Sequence, residues 1–111
     1  MNQAENLADN IPDFLIEAEN AVNAGDNKRA ENLLTETAIE KTCEVKDADA
    51  KILSLYIFST LLFKIRQFDR AEKLNKKILE LGQYSFAYYE LSRIENERCN
   101  FVAAIEYAEK E

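Results

Sequence analysis

Histidine is absent from this 111-residue chain, which removes the commonest general base and the commonest metal ligand. Glycine occurs twice, at Gly25 and Gly82, and each stands alone. No Gly-rich loop is therefore available to cradle a phosphate. With a single proline, Pro12, the same scarcity leaves little room for β-hairpins. Cys43 and Cys99 are the only cysteines, and they lack the close spacing of a metal or redox motif. Two distant thiols in a Lys/Glu-rich chain suit a reducing compartment better than a disulfide framework. Cys99 falls in a turn, where it serves as a small filler or as an exposed thiol. Long apolar runs are missing too. The most apolar stretch, Ile52 to Phe63, is twelve residues interrupted by Ser54, Ser59 and Thr60, too short to span a bilayer. Met1 to Asn10 is polar and acidic and lacks the basic and apolar regions of a signal peptide. A cytoplasmic protein with no membrane span is the expectation.

The charge is acidic, −7 in all. This argues against non-specific nucleic-acid binding, which needs a basic footprint. It is distributed unevenly: −8 over residues 1–50, +4 over 51–82 and −3 over 83–111. Abundant Ala, Leu, Glu, Lys and Ile, with few β-branched runs, predict an all-α chain. The carboxylates are numerous but spaced as a solvated helix surface, Glu36 and Glu40 for example. No nucleophile has a base that the sequence can name beside it. The expectation is that the chain is not an enzyme and needs no cofactor or metal.

What the chain does contain is a repeated phrase. Gly25-Asp26-Asn27-Lys28-Arg29-Ala30 returns as Arg66-Gln67-Phe68-Asp69-Arg70-Ala71 and again as Cys99-Asn100-Phe101-Val102-Ala103-Ala104. Each copy reads as a turn, a first helical turn and an alanine inside an amphipathic run. The alanines lie 41 and then 33 residues apart, a period that marks stacked repeats. Six helices are predicted: about Ile11–Ala24 with Pro12 in its first turn, Lys28–Cys43, one capped by Asp47 and reaching Ile65, one ending at Gly82, one capped by Ser85 and reaching Arg98, and one from Phe101. Leu55, Phe58, Leu62 and Ile65 keep the helical step, as do Ala71, Leu74, Ile78 and Leu81. The longer first interval places extra length in the second helix and its exit, around Lys41 to Lys46. Small residues precede each alanine by twelve positions: Ala18 before Ala30, Ser59 before Ala71, Ser92 before Ala104. Antiparallel helices approach closely only where their crossing lacks large side chains.

The stretch Ile52 to Gln83 resembles the tetratricopeptide repeat. Leu55, Phe58, Ser59 and Leu62 stand in the family's tryptophan, leucine, glycine and tyrosine places, and Ala71 follows nine residues later. Asn75 departs at the next aromatic place, and Gln83 lies near the missing proline. Tyr88, Leu91, Ser92 and Ala104 carry a third unit, with Glu95 in the tyrosine place. Phe14, Ala18, Ala21 and Ala30 carry a weaker first unit, with Glu17 where leucine is expected. The resemblance implies an all-α, α-α superhelix of about three antiparallel helix-turn-helix repeats, residues 11–44, 47–82 and 84–111, the last truncated, in one domain over 1–111.

That resemblance further implies a protein–protein interaction scaffold or adaptor with a concave groove lined by the first helix of each unit. Leu53, Tyr56, Phe63, Phe86, Tyr89 and Arg93 then form the partner-binding groove, apolar and aromatic, suited to a peptide or amphipathic helix; alternatively these residues are core. The places where some family members clamp a C-terminal carboxylate hold Leu15, Glu19, Ile57, Phe86 and Glu90, none of them cationic, so no carboxylate clamp is expected. Arg70, Lys73, Lys76 and Lys77 make a basic stripe on the outer face, either solvated or open to an acidic partner or surface. Phe101, Ala104, Ile105 and Ala108 lie on a last helix that no further helix follows. The chain is then a fragment of a longer array, or a homodimer through this open end, or a module with a loose end. A small chaperone or regulator shielding one apolar partner segment is the alternative function.

Overall fold

A computed structural model describes residues 11–110 of the chain. The reading of Met1 to Asn10 as lacking a signal peptide lies outside the described residues. Seven α-helices and no strand occur among the described residues: α1 (Asp13–Asn23), α2 (Asn27–Leu33), α3 (Glu36–Cys43), α4 (Ala48–Lys64), α5 (Phe68–Leu81), α6 (Ser85–Glu97) and α7 (Phe101–Ala108). None of these helices is long and apolar enough to cross a membrane.

The repeated phrase becomes a repeated turn. Gly25, Arg66 and Cys99 have φ of 79°, 64° and 63°. Each donates its N–H to the carbonyl three residues back: Val22, Phe63 and Asn96. The next residue, Asp26, Gln67 or Asn100, donates to the carbonyl five back: Ala21, Leu62 and Glu95. This is the Schellman arrangement, which satisfies the carbonyls that a helix end leaves open. The carbonyls of Asp26, Gln67 and Asn100 in turn accept the first bonds of the following helices, from Ala30, Ala71 and Ala104. So each alanine sits five residues after a left-handed residue. Ala18, Ala30, Ser59 and Ala71 have no exposure. Across the third hairpin, Ser92 Oγ donates to the Ala104 carbonyl at 2.8 Å.

Left-handed backbone is strained for any side chain with a Cβ, by roughly 1–2 kcal/mol, and tolerated by glycine. Only the first turn uses glycine. Cys99→Gly is expected to stabilise the chain by about 0.5–1 kcal/mol, and Gly25→Ala to destabilise it by a similar amount. Urea denaturation of the two variants checks the opposed signs; matching signs would mean that the turns are not equivalent.

The expected single helix from Lys28 to Cys43 is two helices. Leu34 leaves the helical region, with φ −96° and ψ 63°. Thr35 then recaps the chain, its Oγ1 accepting from the Ala38 N–H at 3.1 Å. The break is stable because Leu34 is fully buried and because Arg70 donates from Nη2 to its carbonyl at 2.5 Å. The Arg70 Nε also donates to Glu36 at 3.1 Å. The extra length is therefore not confined to this stretch and its exit around Lys41–Lys46. Half of it lies at the front of α4, which starts eleven residues before Ser59, whereas α6 starts seven before Ser92.

Local caps agree in part with the residues expected to supply them. Asp47 Oδ1 accepts from the Ala50 N–H at 2.9 Å and starts α4. Pro12 precedes α1 as its cap residue instead of lying inside the helix. Ser85 is the first residue of α6, behind Tyr84, and makes no capping bond.

The helices pack in the order of the chain. α1 lies on α2 and on α4; α4 also meets α3, α5 and α6; α5 meets α6, and α6 meets α7. The core runs through Leu15, Leu34, Leu55, Phe58, Leu61, Leu62 and Ile78. Phe14 meets Phe58 edge-on, ring centroids 6.1 Å apart. Leu15, expected to face the groove, is 1% exposed and belongs to this core. On the far side of α7, Phe101, Val102 and Ile105 stay exposed.

Candidate partner-binding groove

Helices α4 and α6 present one long stripe each toward the same surface. On α4 the stripe steps by sevens, Asp49, Tyr56 and Phe63, two helical turns at a time. On α6 it passes through Phe86, Tyr89 and Arg93. The six residues expected to line a groove fall into two clusters.

In the first cluster, Tyr56 and Phe86 meet edge to face with centroids 4.8 Å apart. Tyr84 lies 5.5 Å from Phe86. Together with Leu53, Ile52 and Asp49 they line an open concavity of about 260 Å³. Gly82 positions Tyr84. A Cβ built there would stand 2.8 Å from the Tyr84 ring, although the φ of Gly82 is extended and unstrained. Gly82→Ala is therefore expected to swing the Tyr84 ring and change its nuclear Overhauser contacts with Phe86, with little loss of helix content.

In the second cluster, the Arg93 guanidinium lies 4.3 Å from the Phe63 ring centroid and 5.6 Å from that of Tyr89. Such cation–ring contacts are favourable because the ring face carries negative potential. Phe63 also packs against Phe68 at 5.4 Å. Arg93 donates from Nη1 to Glu90 Oε1 at 3.3 Å. Glu90 itself is 1% exposed, and its Oε2 has no hydrogen-bond partner among the described residues. Burial pushes its carboxyl above the ordinary carboxylate range, against the attraction of Arg93 and Lys64.

A raised folded-state value means that ionisation opposes folding. Stability is greatest below the unfolded value and falls as pH rises through the folded one. Glu90→Gln keeps the uncharged form at every pH. It is expected to raise the melting temperature at about pH 7 and leave it unchanged at about pH 3, as thermal melts at the two values would register.

The structure thus brings Leu53, Tyr56 and Phe86 together, and separately Phe63, Tyr89 and Arg93. Tyr56 and Tyr89 are exposed, 37% and 52%. Phe63 and Phe86 are half-buried against the core. Sequence reasoning missed Asp49, Ile52 and Tyr84. Asp49 was legible as the position seven before Tyr56. Tyr84 was not, because it reaches the concavity from the loop before α6. On the outer face, Arg70 is taken up by Glu36 and the Leu34 carbonyl, and Lys76 by Glu72 at 3.2 Å. Lys73 and Lys77 remain exposed. Cys43 and Cys99 are free thiols, the first half-buried and the second exposed. No group of three or more Cys, Asp and Glu placed to hold a metal occurs among the described residues.

Comparison of the chain with protein-family models, with curated proteins and with solved structures returns no match.

Proposed function

We propose that the chain is a tetratricopeptide-like interaction module whose α4–α6 groove binds a peptide or amphipathic helix of a protein partner, without catalysis and without a carboxylate clamp. The observation that carries this reading is the pair of exposed tyrosines, Tyr56 and Tyr89, set at the two halves of one aromatic groove. Aromatic side chains held on rigid helices are frequent binding anchors, because little conformational entropy is lost when a partner covers them. The repeated Schellman turns and the buried small-residue positions support the three-hairpin array. The helix-on-helix order supports a groove formed by first helices.

Selection of displayed helical peptides against the chain tests the proposal. Tyr56→Ala and Tyr89→Ala are each expected to weaken the selected peptides about tenfold while the melting temperature holds. Unchanged affinity would remove the groove; two unfolded variants would make the tyrosines core. A second reading, self-association through α7, is favoured by the exposed Phe101, Val102 and Ile105. Light scattering across a concentration series decides it, since a strict monomer excludes it.

A further inference from the structure

The groove contains one cation–aromatic–carboxylate arrangement that the chain fills itself, and a second whose cation is not supplied. In the filled one, Arg93 lies over Phe63 and Tyr89 and pairs with Glu90. Two helical turns back along each stripe stand the counterparts. Tyr56 precedes Phe63 by seven residues, Phe86 precedes Arg93 by seven, and Asp49 precedes Tyr56 by seven. The concavity there has three rings, Tyr56, Tyr84 and Phe86, and one carboxylate, Asp49, with no lysine or arginine in its lining. Asp49 enters none of the ion pairs formed among the described residues.

We infer that this concavity receives a lysine or arginine side chain presented by the bound peptide, its methylenes on Ile52 and Leu53 and its charged head against the rings and Asp49. The inference rests on the groove reading for its partner, and it gives that partner a chemistry. A purely apolar side chain would fill the same space but would draw Asp49 out of water with nothing to pair with it, which is costly. A cationic head pairs with the carboxylate and with the negative ring faces at once. A long aliphatic stem covers the apolar floor while its tip stays polar. Complementarity extends beyond the pocket. The chain carries −7 overall, with +4 over residues 51–82, so the long-range attraction for a basic segment comes from its acidic ends and not from the middle segment that holds most of α4.

The test uses three small probes on the isotope-labelled chain: Nα-acetyl-lysine methylamide, Nα-acetyl-arginine methylamide and the uncharged Nα-acetyl-norleucine methylamide. The lysine or arginine probe is expected to shift the amide signals of Asp49, Leu53, Tyr56 and Phe86 at about tenfold lower concentration than norleucine. Comparing the two basic probes tells which head group fits better. Asp49→Asn is expected to erase the preference for charge while lowering the melting temperature by only a few degrees, because Asp47, not Asp49, caps α4 and Asp49 contributes only its first-turn charge against the helix dipole. Equal shifts from norleucine would overturn the inference and leave an apolar anchor pocket. No shift from any probe would overturn it as well. The groove reading fails or survives separately. If displayed peptides bind, and lose affinity with Tyr89→Ala but not when their basic residue becomes norleucine, the groove stands and the cation site falls. If no displayed peptide binds, the groove reading falls while the probe shifts still decide the pocket.

Discussion

Replacing Ala71 by leucine is expected to cost about 1–3 kcal/mol, because three extra carbons must enter a helix crossing with no free volume. Ala71 is fully buried on α5, and so is its partner in the repeat, Ser59 on α4. The backbone at this point has little freedom to retreat. The Ala71 carbonyl accepts the Asn75 Nδ2 bond at 2.9 Å, and Asn75 is itself fully buried. The hairpin is also held on both sides, with α4 against α1 and α3 and with both α4 and α5 against α6. The same substitution at Ala104 should cost less. Ala104 is 3% exposed, on an eight-residue helix whose far side is open at Phe101, Val102 and Ile105. Helix α7 can therefore tilt away from α6, at the expense of the Ser92–Ala104 bond. Thermal melts of the two variants measure the contrast, at about 4 °C or more per kcal/mol for a chain of this size. An Ala71→Leu protein that melts with the parent would remove the crossing from α5.

How far such a prediction is legible without coordinates depends on the residue. The alanines and their small partners were readable because close approach is a volume constraint, and volume is written in the residue type. The turns were readable as turns, though not as one shared geometry. Glycine signals a left-handed residue at Gly25, whereas Arg66 and Cys99 give no such signal and take the conformation because the surrounding hydrogen bonds impose it. The break at Leu34–Thr35 was hidden for a different reason. Thr35 is a good cap residue, but what holds the break open is Arg70, thirty-six positions away in the chain. The groove was half legible. Spacing by sevens on one helix exposes a stripe, but it does not report that Tyr84 closes the concavity from a loop, or that Arg93 turns back onto Phe63 and Glu90. Side chains with long reach, here arginines above all, connect elements that no local pattern connects.

Arg98 makes the most hydrogen bonds of these arginines, and Arg98→Met is expected to lower stability by about 1–3 kcal/mol. From the end of α6 its Nη1 donates to Glu72 Oε1 at 3.0 Å on α5 and to Glu95 Oε1 at 2.9 Å on its own helix. Its Nη2 donates to Asp69. Asp69 is almost wholly exposed, 97%, and an ion pair there contributes little. The weight falls on Glu72 and Glu95, at 24% and 9% exposure. Methionine keeps much of the packing and removes the charge. Glu72 then retains Lys76, and Glu95 retains the Asn100 amide at 2.9 Å, so the loss is partial.

The effect of pH separates this from lost packing. Burial pushes the Glu72 carboxyl up, but the hydrogen bonds from Arg98 and Lys76 outweigh it and hold the group below the ordinary carboxylate value. A depressed folded-state value contributes stability above the unfolded value, and that stability is lost as pH falls through the folded one. Without Arg98 the burial contribution is left more nearly alone. The deficit of Arg98→Met should therefore be largest near pH 7 and shrink as pH falls through the folded Glu72 value, so that the acid limb of the variant is shallower than the parent's. Glu90 acts in the opposite direction in both proteins, so it cancels from the difference between their pH profiles. Denaturation free energies followed from about pH 7 to about pH 2 give that difference. A uniform offset at every pH would mean that Arg98 joins the second and third hairpins by packing alone.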